Sequence, residues 1–285
     1  MKVITIVVGP GRAGCSLALA HQKAGQEVYL LGRRDGAWQA WAKENGIQPI
    51  LSWQEAPTNA SFVILAVPDR QILAASEVCA GEYNCNAKTF VHLSGMHDLD
   101  VLKPITLEGG FVAAMHPVMP FSDPESDVLA LRQAVVTETA DPNAREGVLE
   151  IAQVWGASPV RMRRNVDRRR YHLGLALASN HLTALLSWSQ DLLQPVFGAE
   201  TFDVVARMAA QALENARRSG AAEALTGPVV RGDIETVQEH LASLSEHEQR
   251  RYAGLLNMVV DLAEQGHRLP ADAAERLRAI AAEAR

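Results

Sequence analysis

The sequence predicts a mostly parallel α/β sheet domain followed by an all-helical one, and three observations carry that prediction. A β-branched run at residues 3–8 breaks into Gly9-Pro10-Gly11-Arg12-Ala13-Gly14 and continues as an apolar helix. Short apolar runs then alternate with helical stretches to about residue 160, the pattern of strands crossed over by helices. Beyond residue 165 the strand signal stops and every periodic segment has helical spacing. The boundary falls there, giving domains at 1–164 and 165–285.

The first strand and its turn say most about chemistry. G-x-G-x-x-G between a strand and a helix is the phosphate grip of a Rossmann-type dinucleotide fold. Gly9 permits the tight turn, Gly11 lacks the Cβ that would hold a pyrophosphate off the backbone, and Gly14 lets helix and strand pack closely. The first N–H groups of the helix have no partner within it and point at the phosphates. Gly9, Pro10, Gly11, Arg12, Ala13 and Gly14 are therefore the expected phosphate-binding residues. The second strand, 27–31, ends in Gly32-Arg33-Arg34. NAD-selective sites place a carboxylate at this strand end for the ribose 2′-hydroxyl, and Asp35 comes only after two arginines. A guanidinium fork matches a 2′-phosphate in charge and geometry, so Arg33 and Arg34 point to NADP(H). The missing carboxylate also counts against a methyltransferase using S-adenosylmethionine.

The third strand, 62–67, closes with Pro68-Asp69, and a helix runs from about 70 to 80. Strands at 89–93, 110–115, 133–137 and 158–162 follow, with a helix at 142–155. Ligands of a parallel sheet lie beyond the carboxyl ends of its strands. Those ends supply Val67 and Pro68 as cofactor contacts, and Asp69 as a helix cap. Ser94-Gly95 falls where a nicotinamide would rest. His116-Pro117 carries the one imidazole at a core strand end suited to proton transfer.

In the helical half, a helix over 171–193 carries His172, Ala176, Ser179, Thr183, Ser187 and Gln190 on one stripe, with Asn180 at its edge. The rest of its circumference is apolar, which predicts burial, either against a substrate cleft between the domains or in helix–helix packing. His181 points away from the stripe and is expected in a core or subunit contact. Further helices are expected at 201–218, 233–244 and 246–264, with a last one opened by Pro270. The loop Leu225-Thr226-Gly227-Pro228-Val229-Val230-Arg231-Gly232-Asp233 interrupts them. Thr226 and Arg231 are candidates there for binding a carbonyl-bearing or anionic substrate.

Composition narrows the alternatives. The chain has 285 residues and a net charge of −6, which argues against non-specific nucleic-acid binding. Its one dense basic run, Arg161, Arg163, Arg164, Arg168, Arg169 and Arg170, is expected to be a solvated connection between domains. No stretch of about twenty apolar residues predicts a membrane span, and the N-terminus lacks a signal-peptide layout, so the cytoplasm is the expected compartment. Three scattered cysteines predict neither a disulfide framework nor a zinc site, and no metal is expected.

The glycine turn, Ala66-Val67-Pro68-Asp69, Ser94-Gly95, His116-Pro117 with Phe121, Ala178-Ser179-Asn180 and the 225–233 loop together resemble one family. It is the group of bacterial two-domain proteins joining a Rossmann-like domain to an all-helical domain of unknown function. These are similar in turn to pyrroline-5-carboxylate reductase, the deazaflavin-dependent NADP oxidoreductases and 6-phosphogluconate dehydrogenase. The resemblance implies an NADP-binding oxidoreductase fold whose helical domain dimerises; it supplies no substrate. The chain departs from its relatives in lacking the helix lysine and asparagine pair of 6-phosphogluconate dehydrogenase and the ketopantoate-reductase lysine. The expectation is an NADP(H)-dependent oxidoreductase of a small carbonyl, imine or hydroxy compound, carboxylated in the simplest reading. His116 would donate the proton, Ser94 would lie at the nicotinamide, Asn180 and Thr226 would orient the reacting group, and Arg231 would hold the carboxylate. The alternative is a regulatory or scaffold protein that binds NADP(H) without turnover. The expected partners are a small-molecule substrate and a second copy of the chain through the helical domain.

Overall fold

The structure is a computed structural model that describes residues 2–163 and 165–284; Arg164 of the basic run lies outside the described residues. Eight strands form one sheet: β1 (Ile4–Val8), β2 (Glu27–Leu31), β3 (Gln48–Ile50), β4 (Phe62–Leu65), β5 (Thr89–His92), β6 (Phe111–Pro117), β7 (Val135–Ala140) and β8 (Ser158–Arg161). Their order is β3-β2-β1-β4-β5-β6-β7-β8. Every neighbouring pair is parallel except β6 and β7, which run antiparallel. The sequence pattern predicts the parallel part and omits β3. That strand is three residues long with Pro49 at its centre, a residue tolerated on the sheet's edge but one that erases a strand signal.

Helices α1 (Arg12–Lys23), α2 (Ala37–Glu44), α3 (Ile72–Glu82), α4 (Lys103–Leu107), α5 (Pro124–Leu131), α6 (Arg145–Trp155) and α7 (Arg168–Ala176) accompany the sheet. Alternation along the strands sends neighbours to opposite faces. Val7, Ile64 and Val91 enter one core with Leu17, Met115 and Trp155. Ile6, Leu65 and Phe90 enter the other with Ile72, Leu102 and Ile105. Burial on both faces is why these strands read as unbroken apolar runs. The cysteines divide the same way: Cys15 lies in the first core, and Cys79 and Cys85 in the second, all buried as free thiols. His21 sits fully buried on α1, where its Nδ1 meets Gln26 Oε1 at 2.7 Å and its Nε2 accepts from Trp155 Nε1 at 3.0 Å. Burial pushes its pKa down to about 4, so it is a neutral, fully bonded core group.

The chain forms two compact units, Met1–His181 and Leu182–Arg285. The second is helical: α8 (Leu182–Phe197), α9 (Thr201–Ser219), α10 (Ala221–Ala224), α11 (Ile234–Ala242), α12 (Glu246–Gln265) and α13 (Ala271–Glu283). Val229, Val237, Leu256, Val260 and Leu277 form its core. Arg268 Nη1 donates to the carbonyls of Ala222, Glu223 and Leu225, closing the C-terminal end of α10. Among the described residues, no helix is long and apolar enough to cross a membrane.

The glycine turn shows how tightly sequence and backbone are matched. Gly9 has φ +103°, and a Cβ there would meet the Ala66 carbonyl oxygen at 2.5 Å. A Cβ on Gly14 would stand 1.9 Å from the Gly9 carbonyl oxygen, whereas one on Gly11 would have nothing within 4 Å. Gly14→Ala is therefore expected to cost at least ~2 kcal/mol in urea denaturation, as overpacking against backbone does. Gly11→Ala should cost under ~1 kcal/mol, the scale of a helix N-cap change. Equal stability of the two variants would contradict this account of the turn.

Candidate functional site

The carboxyl ends of the strands gather two groups of residues in the first unit. The first surrounds the glycine turn. Gly9 N donates to Leu31 O at 2.8 Å and Ala66 N to Val8 O at 2.8 Å, so the turn is tied to β2 and to the end of β4. Val67 closes in on Gly9 from the side, and Pro68 caps the 3₁₀ turn Asp69–Gln71. Gly11 is the extended N-cap of α1, and Arg12 and Ala13 form its first turn beside open space. Pro10, Arg33, Arg34, Asp35 and Trp38 line an open cleft of about 610 Å³. Gly32 lets Trp38 lie against the chain there, since a Cβ would meet the indole at 2.5 Å and Pro10 at 3.0 Å. Trp38 Nε1 donates to Arg34 O at 3.0 Å. Both arginine side chains are exposed and form no ion pair among the described residues.

The second group lies at the end of β6. His116 pairs across the antiparallel ladder with Thr137 of β7, and Ala114 with Thr139, so Thr137 and Thr139 lie two residues apart on one face. Helix α7 lays Arg168, Tyr171 and His172 across that face, the i, i+3, i+4 spacing that brings side chains to one side of a helix. The Tyr171 hydroxyl lies 2.9 Å from His116 Nδ1 and 2.9 Å from Thr137 Oγ1. Arg168 Nη2 donates to Thr139 Oγ1 at 2.8 Å and to Asp98 Oδ1 at 3.1 Å. The His172 ring stands 6.5 Å from that of His116. Gly95 lies under the imidazole, a Cβ there falling 3.2 Å from its ring atoms.

Burial, with His172 and Arg168 adding to it, lowers the His116 pKa to about 4, against a smaller pull upward from Asp69. His116 is therefore neutral near pH 7. It is a neutral imidazole whose Nδ1 is hydrogen-bonded to Tyr171. Tyr171 is raised by burial, although Thr137 and Arg168 pull it down. His92, at the end of β5, donates from Nε2 to Asp98 O at 3.1 Å and accepts Ser94 N–H at Nδ1, also at 3.1 Å. Burial drives its pKa to about 4 as well.

The remaining candidates are distributed as follows. Ser94 is buried, and its hydroxyl oxygen accepts from Met96 N and His97 N at 3.0 and 3.1 Å, so it shapes the loop after β5. Asp69 forms no capping bond and instead acts on His92 and His116 by charge. Arg168 is no solvated linker residue, being only 12% exposed and paired. The helix expected over 171–193 is broken by a π-turn, Leu177–His181, which throws a stripe drawn at 100° per residue out of phase. Neither α7 nor α8 has a buried residue, so the expectation of a buried helix does not hold; His181 is exposed and bonds Ala176 O through Nδ1. Asn180 is in this π-turn, where its Oδ1 accepts from Ser179 Oγ at 2.9 Å. Thr226 and Arg231 lie in the second unit, exposed on a loop anchored by Val229 and by the Asp233 cap of α11. Arg231 stands 3.9 Å from Asp233. Sequence reasoning missed Trp38, Thr137, Arg168 and Tyr171. The helical spacing of Arg168, Tyr171 and His172 was the signal available for the last two. Among the described residues, no group of three or more His, Cys, Asp or Glu side chains could hold a metal ion.

The sheet and glycine turn define a Rossmann-like class of domain, and residues 2–117 match the family model for a Rossmann-like domain. Residues 134–259 match a second model, that of a domain of unknown function, DUF2520. The junction of the two divides the second residue group: His116 belongs to the former, and Thr137, Arg168, Tyr171 and His172 to the latter. No curated protein matches the sequence significantly. Among solved structures, a protein of Bacteroides fragilis provisionally described as an NADP oxidoreductase aligns with TM-score 0.73 at 16% identity, over 93% of this chain and 97% of its own. A Thermotoga maritima protein aligns at 0.65 with 23% identity over 98% and 99%. The pyrroline carboxylate reductase of Plasmodium falciparum, solved with NADP bound, aligns at 0.60 with 13% identity over 98% and 100%. At these identities the likeness is one of fold.

His21, His92 and His116 each stay neutral when folded down to about pH 4 but take a proton near pH 6.5 when unfolded. The unfolded state binds more protons between these values, so stability is retained above about pH 6.5 and lost as pH falls toward 4. Each histidine contributes a slope of about 1.4 kcal/mol per pH unit in that window. Urea midpoints should fall steeply from pH 7 to pH 5; a flat profile would refute the neutral assignments.

Proposed function

We propose that the chain is an NADP(H)-dependent oxidoreductase acting on a small carbonyl, imine or hydroxy compound. The observation that carries the reading is the glycine turn, where backbone leaves no room for a side chain at Gly9 or Gly14 yet space stays open over Gly11. That cradle fits a pyrophosphate at the start of α1. Arg33 and Arg34 beside Trp38, which form no ion pair among the described residues, fit a 2′-phosphate, and the carboxylate of that cleft, Asp35, comes after both arginines rather than at the end of β2. The described neighbours add support in kind: a provisional NADP oxidoreductase and a pyrroline carboxylate reductase with NADP.

Bound there, a nicotinamide cofactor supplies or accepts the hydride. Gly9 to Gly14 would hold its pyrophosphate, Arg33 and Arg34 its extra phosphate, and Val67 and Pro68 would flank it. In the sheet, β6 is three strands from β1, roughly 14 Å at ordinary strand spacing. His116 is the group there that can exchange a proton with a substrate heteroatom. Its Nδ1 is engaged by Tyr171, so Nε2 is the exchanging atom. We also propose a homodimer through the helical unit, because α8 and α9 carry large exposed apolar side chains, Val196, Met208 and Leu213 being 72%, 66% and 70% exposed, which an interface would cover.

Calorimetry with the Arg33→Ala, Arg34→Ala double variant should weaken NADPH by about 100-fold, the worth of lost charge-assisted hydrogen bonds, and NADH by less than about 3-fold; equal losses would remove the cofactor assignment. Wild-type protein should oxidise NADPH with members of a cyclic-imine and ketone panel. Binding without any turnover would favour the sensor alternative. Met208→Glu with Leu213→Glu should convert a dimer into a monomer in light scattering, and a wild-type monomer would contradict the proposed assembly.

A further inference from the structure

The row Thr137–Tyr171–His116 has a property that none of its members has alone. A phenol carries one proton and here touches two partners, each at 2.9 Å. It donates to one and accepts from the other, so two arrangements exist. In the first, Thr137 donates to the Tyr171 oxygen and Tyr171 to His116 Nδ1, leaving the imidazole with its proton on Nε2. In the second, His116 Nδ1–H donates to Tyr171 and Tyr171 to Thr137, leaving a bare lone pair on Nε2. The two differ at the outer nitrogen as a proton donor differs from a proton acceptor.

We propose that Tyr171 is the proton reservoir behind His116, delivering its phenolic proton to Nδ1 as Nε2 gives its own to the substrate. This rests on the oxidoreductase reading above. When a carbonyl or imine carbon receives hydride, the heteroatom takes the Nε2 proton and the Nε2–H bond breaks. The Tyr171 O–H bond breaks as Nδ1–H forms, so the imidazole stays neutral throughout. The negative charge rests on the Tyr171 oxygen, held by the Thr137 hydroxyl and the nearby Arg168 guanidinium, until solvent returns a proton after product leaves. The reverse sequence serves oxidation.

The geometry gives this route a reason. A neutral imidazole is too weak an acid to surrender Nε2–H and become an anion, and desolvation beneath α7 disfavours the imidazolium. A phenol, even one that burial holds above its ordinary pKa near 10, is a much better ultimate source. The charged and titratable groups facing this row are Arg168 and His172 from α7 and Asp69 from the end of β4. Arg168 favours the phenolate, while Asp69 acts on His116, pulling its pKa up. Tyr171 acts through His116 and is thus a positioning and relay residue.

Nitrogen NMR of histidine-labelled protein without ligand tests the row independently of turnover. Thr137→Val leaves Tyr171 a single partner, and its buried proton is satisfied only by donating to Nδ1. His116 should then shift toward the Nε2–H tautomer, and Tyr171→Phe should return it to the mixture of free imidazole. Unchanged His116 signals in both variants would overturn the proposal. With a turned-over substrate, Tyr171→Phe should lower kcat by at least about 100-fold, the usual reach of acid–base catalysis, with KM for NADPH unchanged. Wild-type reduction should be flat through the histidine range and fall only on an alkaline limb, which fluorotyrosine at position 171 moves to lower pH. His172→Gln should keep that limb. A Tyr171→Phe enzyme with wild-type kcat and pH profile overturns the relay while leaving the oxidoreductase reading intact; wild-type protein that binds NADPH and reduces nothing overturns both.

Discussion

The first unit depends on one backbone contact: the start of α1 pressed onto the Gly9 carbonyl so closely that Gly14 cannot carry a side chain. That contact sets the angle at which α1 leaves β1, and so directs the open N–H groups of its first turn beyond the sheet. It also seats α1 against α5, where Ser16 Oγ bonds the buried Asp127 at 2.7 Å. Asp127 in turn receives Ser122 N–H at 3.0 Å, fixing the segment that follows β6. The phosphate cradle and the end of β6 are thus joined through a short series of side-chain contacts in one rigid layer.

The second residue group is built differently, from pieces that two family models assign to separate regions. The reversal of direction between β6 and β7 puts Thr137 opposite His116. Helix α7, capped by Asp167, is fastened onto that ladder by Arg168 and Tyr171. Sites assembled where two modules meet can change chemistry by changing either partner.

The parallel half of the sheet was legible because burial on both faces leaves unbroken apolar runs in the sequence, as in Ile4–Val8 and Phe62–Leu65. The glycine turn was legible because only glycine satisfies its contacts. The proton-handling group was legible only at His116. Thr137 sits in a polar strand whose direction no local pattern encodes, and Tyr171 and Arg168 stand at the head of a helix dominated by charge. The π-turn at Leu177–His181 defeated the angular argument, because one wider turn rotates every later residue out of register. Trp38 was missed because its importance comes from Gly32, six residues earlier in the chain, which leaves space for the indole.

The placement of the thiols has a practical consequence. With Cys15 under one face of the sheet and Cys79 and Cys85 under the other, the native surface offers an alkylating reagent nothing to attack, and labelling has to wait for the structure to open. The peptide that becomes modified then identifies which side of the sheet has parted first, so the wild-type chain contains its own site-resolved reporters of local opening without any engineered probe.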